Sequence, residues 1–106
     1  EERFRNIADD TPVMMWVTDE TGYCTYLNKG WYEFTGQPSG AGEGFGWLQA
    51  VHSDDRPAAE QAFIRANEEQ KGYEIDFRLR RADGVYRWCV DAAKPRFDGD
   101  GRFLGY

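Results

Sequence analysis

The sequence predicts an α+β domain, with five antiparallel strands and short helices covering one face of the sheet. Three observations predict it. Residues 73–80 alternate Tyr73, Ile75, Phe77 and Leu79 with Glu74, Asp76, Arg78 and Arg80, the period of a half-buried strand. Asp83-Gly84 follows and opens a second run from Val85, so the two runs form a long hairpin. Between an earlier hairpin at 13–27 and this one lie short segments with helical spacing and helix stops.

The elements follow in order. Residues 1–10 place Phe4, Ile7 and Ala8 at helical spacing, and Thr11-Pro12 ends that helix. Residues 13–19 are apolar and β-prone, Glu20-Thr21-Gly22 turns the chain, and residues 23–27 return as a second strand. Asn28 is a good N-cap for a helix carrying Trp31, Tyr32 and Phe34, and Gly36 fits its stop. Glycines at 36, 40, 42, 44 and 46 make residues 37–46 read as a mobile, loose lid. Trp47 to Val51 makes a short helical turn. Asp54, Asp55 and Pro57 suit the first turn of the next helix, whose apolar face is Ala59, Ala62, Phe63 and Ala66. Lys71-Gly72 stops it.

The long hairpin has a definite expected register. With Asp83-Gly84 as a two-residue loop, Leu79 faces Trp88, Phe77 faces Val90 and Ile75 faces Ala92. The same register opposes Arg80 to Arg87 and Asp76 to Asp91, a mild cost on the outer face. Asp98-Gly99-Asp100-Gly101 turns the chain again into a fifth strand, which is cut at Tyr106. The chain reads as one domain over 1–106, with its core at 13–106, taken from a longer protein.

Composition bounds the function. The 106 residues suffice for one core, and an aromatic share of 16% makes that core or a pocket rich in rings. Thirteen basic against nineteen acidic residues give a net charge of -6, which argues against a nucleic-acid surface. No apolar run approaches a membrane span, so no membrane insertion by this chain is expected. Cys24 and Cys89 fit thiols in a reducing cytoplasm better than a disulfide.

The ordered set of short motifs resembles the PAS domain, and within it the bacterial subfamily whose hairpin is followed by a PAC segment. The matching residues are Thr18-Asp19 and Gly22, then Asn28, Trp31 and Phe34-Thr35-Gly36. They continue with Gly46-Trp47-Leu48, with His52 and Asp54-Asp55-Arg56, and with Arg80-Arg81, Asp83-Gly84 and Tyr86-Arg87-Trp88. Asp98 and Gly101 close the set. Ser53 departs from the subfamily's usual proline. The resemblance implies a PAS-like five-stranded sheet and a sensory module that binds a small ligand, pairs as a homodimer, or does both. It implies a covalently attached output domain, most often a histidine kinase, with a diguanylate cyclase as the alternative. A ligand-free module for dimerisation and relay is the second reading.

Candidate chemistry is sparse. A single histidine, His52, makes a poor transition-metal site and no catalytic triad, so it reads as capping or packing, and the chain alone is not expected to be an enzyme. Asp54 and Asp55 read as helix-dipole acids rather than cation ligands. Residues 40–44 lack the Lys-Ser/Thr pair of a phosphate loop. Haem-binding PAS domains carry a ligating histidine on the long helix, where this chain has Pro57-Ala58-Ala59-Glu60. Cysteinyl-flavin sensors need a cysteine in the stretch between Cys24 and Cys89, which has none, so the cofactor stays undefined. Trp16, Phe34, Trp47, Phe63, Phe77 and Trp88 are the candidate ligand-binding residues, with core packing as the rival explanation of the same rings. Tyr26, Asn28, Arg78 and Tyr86 are candidates for a polar contact, and Phe4 and Ile7 for the dimer contact, which Phe4→Glu would weaken.

Overall fold

Among the described residues, three hairpins use one kind of turn. The structure, a computed structural model, describes residues 13–106; the expected helix over 1–10 lies outside the described residues. The loops are residues 20–22, 82–84 and 99–101, three residues each. Each ends on a glycine in the left-handed region: Gly22 at φ 90°, Gly84 at 87° and Gly101 at 82°. The glycine N–H donates to a carbonyl three residues back, that of Asp19, Arg81 or Asp98. The flanking pairs then close at 2.9, 2.8 and 2.9 Å: Asp19 with Tyr23, Arg81 with Val85, and Asp98 with Arg102. A side chain in this position needs a positive φ that only glycine adopts without strain.

The middle turn corrects the expected register. A two-residue loop at Asp83-Gly84 pairs Ala82 with Val85, but the chain pairs Arg81 with Val85 instead. The slip of one residue turns the whole of the second strand over. Phe77 faces Cys89, Ile75 faces Asp91, Arg78 faces Trp88 and Asp76 faces Val90. The opposed like charges of the expected register are thereby removed. Asp91 moves to the inner face and Trp88 to the outer one.

The strands are β1 (Trp16–Thr18), β2 (Cys24–Leu27), β3 (Tyr73–Arg80), β4 (Tyr86–Ala93), β5 (Arg96–Phe97) and β6 (Phe103–Gly105). They form three antiparallel ribbons, β1 with β2, β3 with β4 and β5 with β6. The expected fourth strand is interrupted at Lys94-Pro95, where proline has no N–H for a ladder, and so counts as β4 and β5. Thr18 joins β1 to the end of β6. Its N–H donates to the Tyr106 carbonyl at 2.7 Å, and its hydroxyl accepts from the Tyr106 N–H at 2.9 Å. On the free edge of β3, Val51 bridges Leu79 and the His52 N–H donates to the Arg78 carbonyl.

The helices are α1 (Lys29–Thr35), a 3₁₀ turn (Gly46–Ala50) and α2 (Arg56–Glu69). Asn28 caps α1 as expected, its Oδ1 accepting from the Trp31 N–H, and Gly36 ends it at φ 72°. The end of α1 is tied to the long hairpin, since the Ala82 N–H donates to the Phe34 carbonyl. The helix α2 stops at Gln70, which adopts the left-handed conformation just before the expected Lys71-Gly72. Asp55 caps α2 without a side-chain bond; its carboxylate instead grips Arg78 on β3.

The expected loose lid at 37–46 is held down. Gly44 bridges Cys24 in both directions, and turns close at Pro38–Ala41, Gly40–Glu43 and Glu43–Gly46. Gly46 is needed for room: a Cβ there would sit 1.9 Å from the Ala41 carbonyl oxygen. Glycine here serves close packing rather than mobility.

Two apolar clusters form the core. One centres on Leu27, Trp31, Val51, Phe77 and Leu79, the other on Phe63, Phe103 and Tyr106. Trp16 and Trp47 pack against both, and a cavity lies where the clusters meet.

Candidate functional site

The cavity has a volume of about 470 Å³ and is bounded by β1, α1, α2 and the inner face of β3 and β4. That is within the range of small-molecule pockets. Five of the six expected rings line it: Trp16, Phe34, Trp47, Phe63 and Phe77. Trp88 does not. The register of β4 puts it on the outer face, 68% exposed, with the Arg78 guanidinium 5.2 Å from its ring centre. Phe63 organises the aromatic wall. Trp47 meets it edge-on at 5.7 Å, Tyr73 at 6.3 Å and Trp16 at 6.4 Å. Tyr106, just past β6, touches both Phe63 and Tyr73.

The polar end of the cavity is Asp91. One carboxylate oxygen accepts from the Trp16 indole N–H at 3.1 Å, the other from the Tyr73 hydroxyl at 3.3 Å. This set ties β1, β3 and β4 together. Burial pushes the Asp91 carboxyl up to about 6, against the two hydrogen bonds that favour its ionised form. The Tyr73 hydroxyl is pushed well above its usual range by burial and by the neighbouring carboxylate. Two thiols also line the cavity. Burial raises Cys24 to about 11 and raises Cys89 as well, so both are neutral and unreactive near neutrality.

None of Tyr26, Asn28, Arg78 and Tyr86 lines the cavity. Asn28 is fully buried and structural. Its Oδ1 accepts from Met15 and Trp31, and its Nδ2 donates to Val13. Arg78 and Tyr86 lie on the other side of the sheet. Tyr86 packs edge-on against His52 at 4.7 Å, and the His52 Nδ1 accepts from the Asp54 N–H, the capping and packing role expected of it. Asp55 stands at the N-cap of α2, but its carboxylate is turned to Arg78 rather than to the helix N–H groups. Bonds from the Arg78 side chain and backbone hold its carboxyl down to about 2.

Residues 25–106 match the family described as the PAS fold. The chain belongs to that family. The expected PAS-like α+β fold is therefore the one found. The PAS domain is 48% identical over its 106 residues to the protein y4lL of Sinorhizobium fredii, of which it covers 13%. It is 26% identical over 96 residues to the peroxide stress-activated histidine kinase mak1 of Schizosaccharomyces pombe, covering 83% of this chain and 6% of that protein. The chain thus spans only a small part of the curated relatives it matches. Among solved structures, the PAS domain of a Colwellia psychrerythraea protein superposes with a TM-score of 0.74 at 20% identity, covering 98% of this chain and 88% of that one. The N-terminal domain of a diguanylate cyclase with PAS/PAC sensor from Marinobacter aquaeolei gives 0.70 at 22% identity, covering 85% and 87%.

Sequence reasoning missed Asp91 and Tyr73 as the polar groups of this PAS cavity. The signal was present in the like-charge pairs of the two-residue register. Arg80 against Arg87 and Asp76 against Asp91 both vanish when the loop takes one more residue.

Proposed function

We propose that this chain is the sensory PAS domain of a signalling protein, binding a small ligand with a largely apolar body in the cavity and regulating an attached output domain, a sensor histidine kinase. The observation that carries the reading is the cavity itself: about 470 Å³ walled by rings and ending in one carboxylate. A filled core would leave no such space beside five aromatic side chains. The kinase output is supported by the likeness to mak1, and a diguanylate cyclase output by the likeness to the Marinobacter domain.

The geometry also supports a route for the signal. A ligand touching Trp16 and Phe63 presses on rings that contact Tyr73 and Tyr106. Tyr106 is hydrogen-bonded to Thr18, two residues from Trp16 in the same strand. Occupancy of the cavity would thus reach the last strand through a continuous set of contacts.

Pairing of two copies has its own support. Tyr86, Trp88 and Val90 form an apolar stripe on the outer face of β4, with Val90 64% exposed. Trp88→Lys with Val90→Lys should then weaken self-association in sedimentation, and an unchanged profile would contradict pairing through this face. Ligand binding is tested by native mass spectrometry of the domain, followed by thermal shift with small aromatic compounds. A retained or stabilising molecule is expected. No bound mass and no stabilisation by any compound would contradict the sensor reading.

A further inference from the structure

Among the described residues, the cavity has a charge at one end and nothing of the opposite sign to meet it. Asp91 sits inside because the three-residue loop sets the register of β4, not because its sequence neighbours mark it as buried. Its two hydrogen-bond donors, the Trp16 indole and the Tyr73 hydroxyl, are both neutral and bind at 3.1 and 3.3 Å. The described lining contains no Lys, Arg or His. A side chain that only tied Trp16 to Tyr73 would do so as asparagine, without the cost of desolvating a charge. Each carboxylate oxygen keeps further acceptor capacity beside its one neutral donor. The walls around it are aromatic faces and edges, which attract cations as well as apolar groups.

Resting on the reading of the cavity as a ligand site, we propose that its ligand is a small amine, with the ammonium on Asp91 and an apolar or aromatic body among Trp16, Phe34, Phe63 and Phe77. The ammonium supplies the charge-assisted donors that the described lining does not provide. It also replaces a mismatch between charge and surroundings with a pair, so binding is selective for a cation over a neutral molecule of the same shape. An anionic ligand of that shape is repelled. The ligand's body fits between the rings, where its burial provides affinity without selectivity.

Among the described residues, the titratable groups facing Asp91 are Tyr73 on β3 and, on its own strand, Cys89; behind Tyr73 lies Tyr106 just past β6. All three are shifted upward and stay neutral across the range below. The helix α2 presents Phe63 and no charge to this corner. The selectivity should therefore follow Asp91.

The test is calorimetric titration of the chain with benzylamine, 2-phenylethylamine and 3-phenylpropylamine, each beside the alcohol and the carboxylate of matching shape. At pH 7.5 the best amine should bind about tenfold to a hundredfold tighter than its alcohol, the range of a hydrogen bond to a charged group. The preference should shrink as pH falls from 7.5 to 5, while alcohol binding stays level. Asp91→Asn should bind amine and alcohol alike. Equal binding of amine and alcohol by the wild type, or tighter binding of the carboxylate, overturns the amine assignment and leaves the cavity a ligand site. Binding of no member of the series overturns both. If Asp91→Asn does not fold, the wild-type pH comparison decides the matter alone.

Discussion

Replacing Asp91 by asparagine should stabilise the empty domain, and more at high pH than at low. Burial raises the Asp91 carboxyl from 3.8 to about 6. The folded state therefore holds this proton more tightly than the unfolded chain. Stability is greatest below the unfolded value, falls as pH rises from about 4 to 6, and stays lower above that. The full gap corresponds to about 3 kcal/mol, and roughly 1 kcal/mol of it has already developed at pH 4.5. Asparagine does not titrate, so the difference between variant and wild type should grow by about 2 kcal/mol between pH 4.5 and pH 8. Its amide oxygen still accepts from Trp16, and its amide nitrogen faces a Tyr73 hydroxyl that is able to accept. Urea denaturation of both proteins at the two pH values measures the difference. A gap that is constant with pH, or that favours the wild type more strongly at pH 8, would refute a buried, inward-facing carboxylate. The cost of this residue to the empty fold is what a binding group, rather than a structural one, is expected to carry.

Three further outcomes follow from the geometry. Asp55→Asn breaks the grip on Arg78 that joins α2 to β3, so it should lower stability at neutral pH. Because the Asp55 carboxyl is held down to about 2, the wild type loses this advantage as pH falls from about 4 to 2, and acid titrations of the two proteins should converge there. Asn28→Ala removes the side-chain partner of the Met15 N–H and the Val13 carbonyl, and leaves the Trp31 N–H with only its bond to the residue 28 backbone carbonyl. It should cost about 2–4 kcal/mol in denaturant melts. Trp88→Ala removes only an exposed ring over Arg78 and should cost less than ~1 kcal/mol, with cavity binding unchanged in a titration.

The order of elements was legible because each carries a local marker. Asn28 and Gly36 bracket α1, and three glycines mark the three hairpin turns. Alternation fixed the inner face of β3. The inner face of β4 was not legible from alternation. Trp88 and Val90 are apolar yet point outward, and Asp91 is charged yet points inward, so hydrophobic pattern alone selects the wrong register. The loop decides it, and Asp83 contributes by accepting the Val85 N–H and the Arg81 guanidinium. A turn of three residues and one of two look alike when Asp-Gly is read by itself. The aromatic wall was found because rings at strand and helix spacing are buried whether they pack a core or surround a ligand. The polar end was not, since a functional carboxylate breaks the very pattern used to find faces. The glycines at 40–46 misled for a different reason. Close backbone approach and mobility select the same residue, and only the neighbouring atoms tell them apart.

The central claim, a ligand cavity on the inner face of β3 and β4 with Asp91 at its end, is tested most directly by the indole N–H resonances of Trp16 and Trp88. In a two-dimensional NMR titration with 3-phenylpropylamine, the Trp16 signal should move with saturation, because its N–H is bonded to Asp91. The Trp88 signal should stay in place on the outer face. Movement of Trp88 with Trp16 unchanged would contradict both the register and the site.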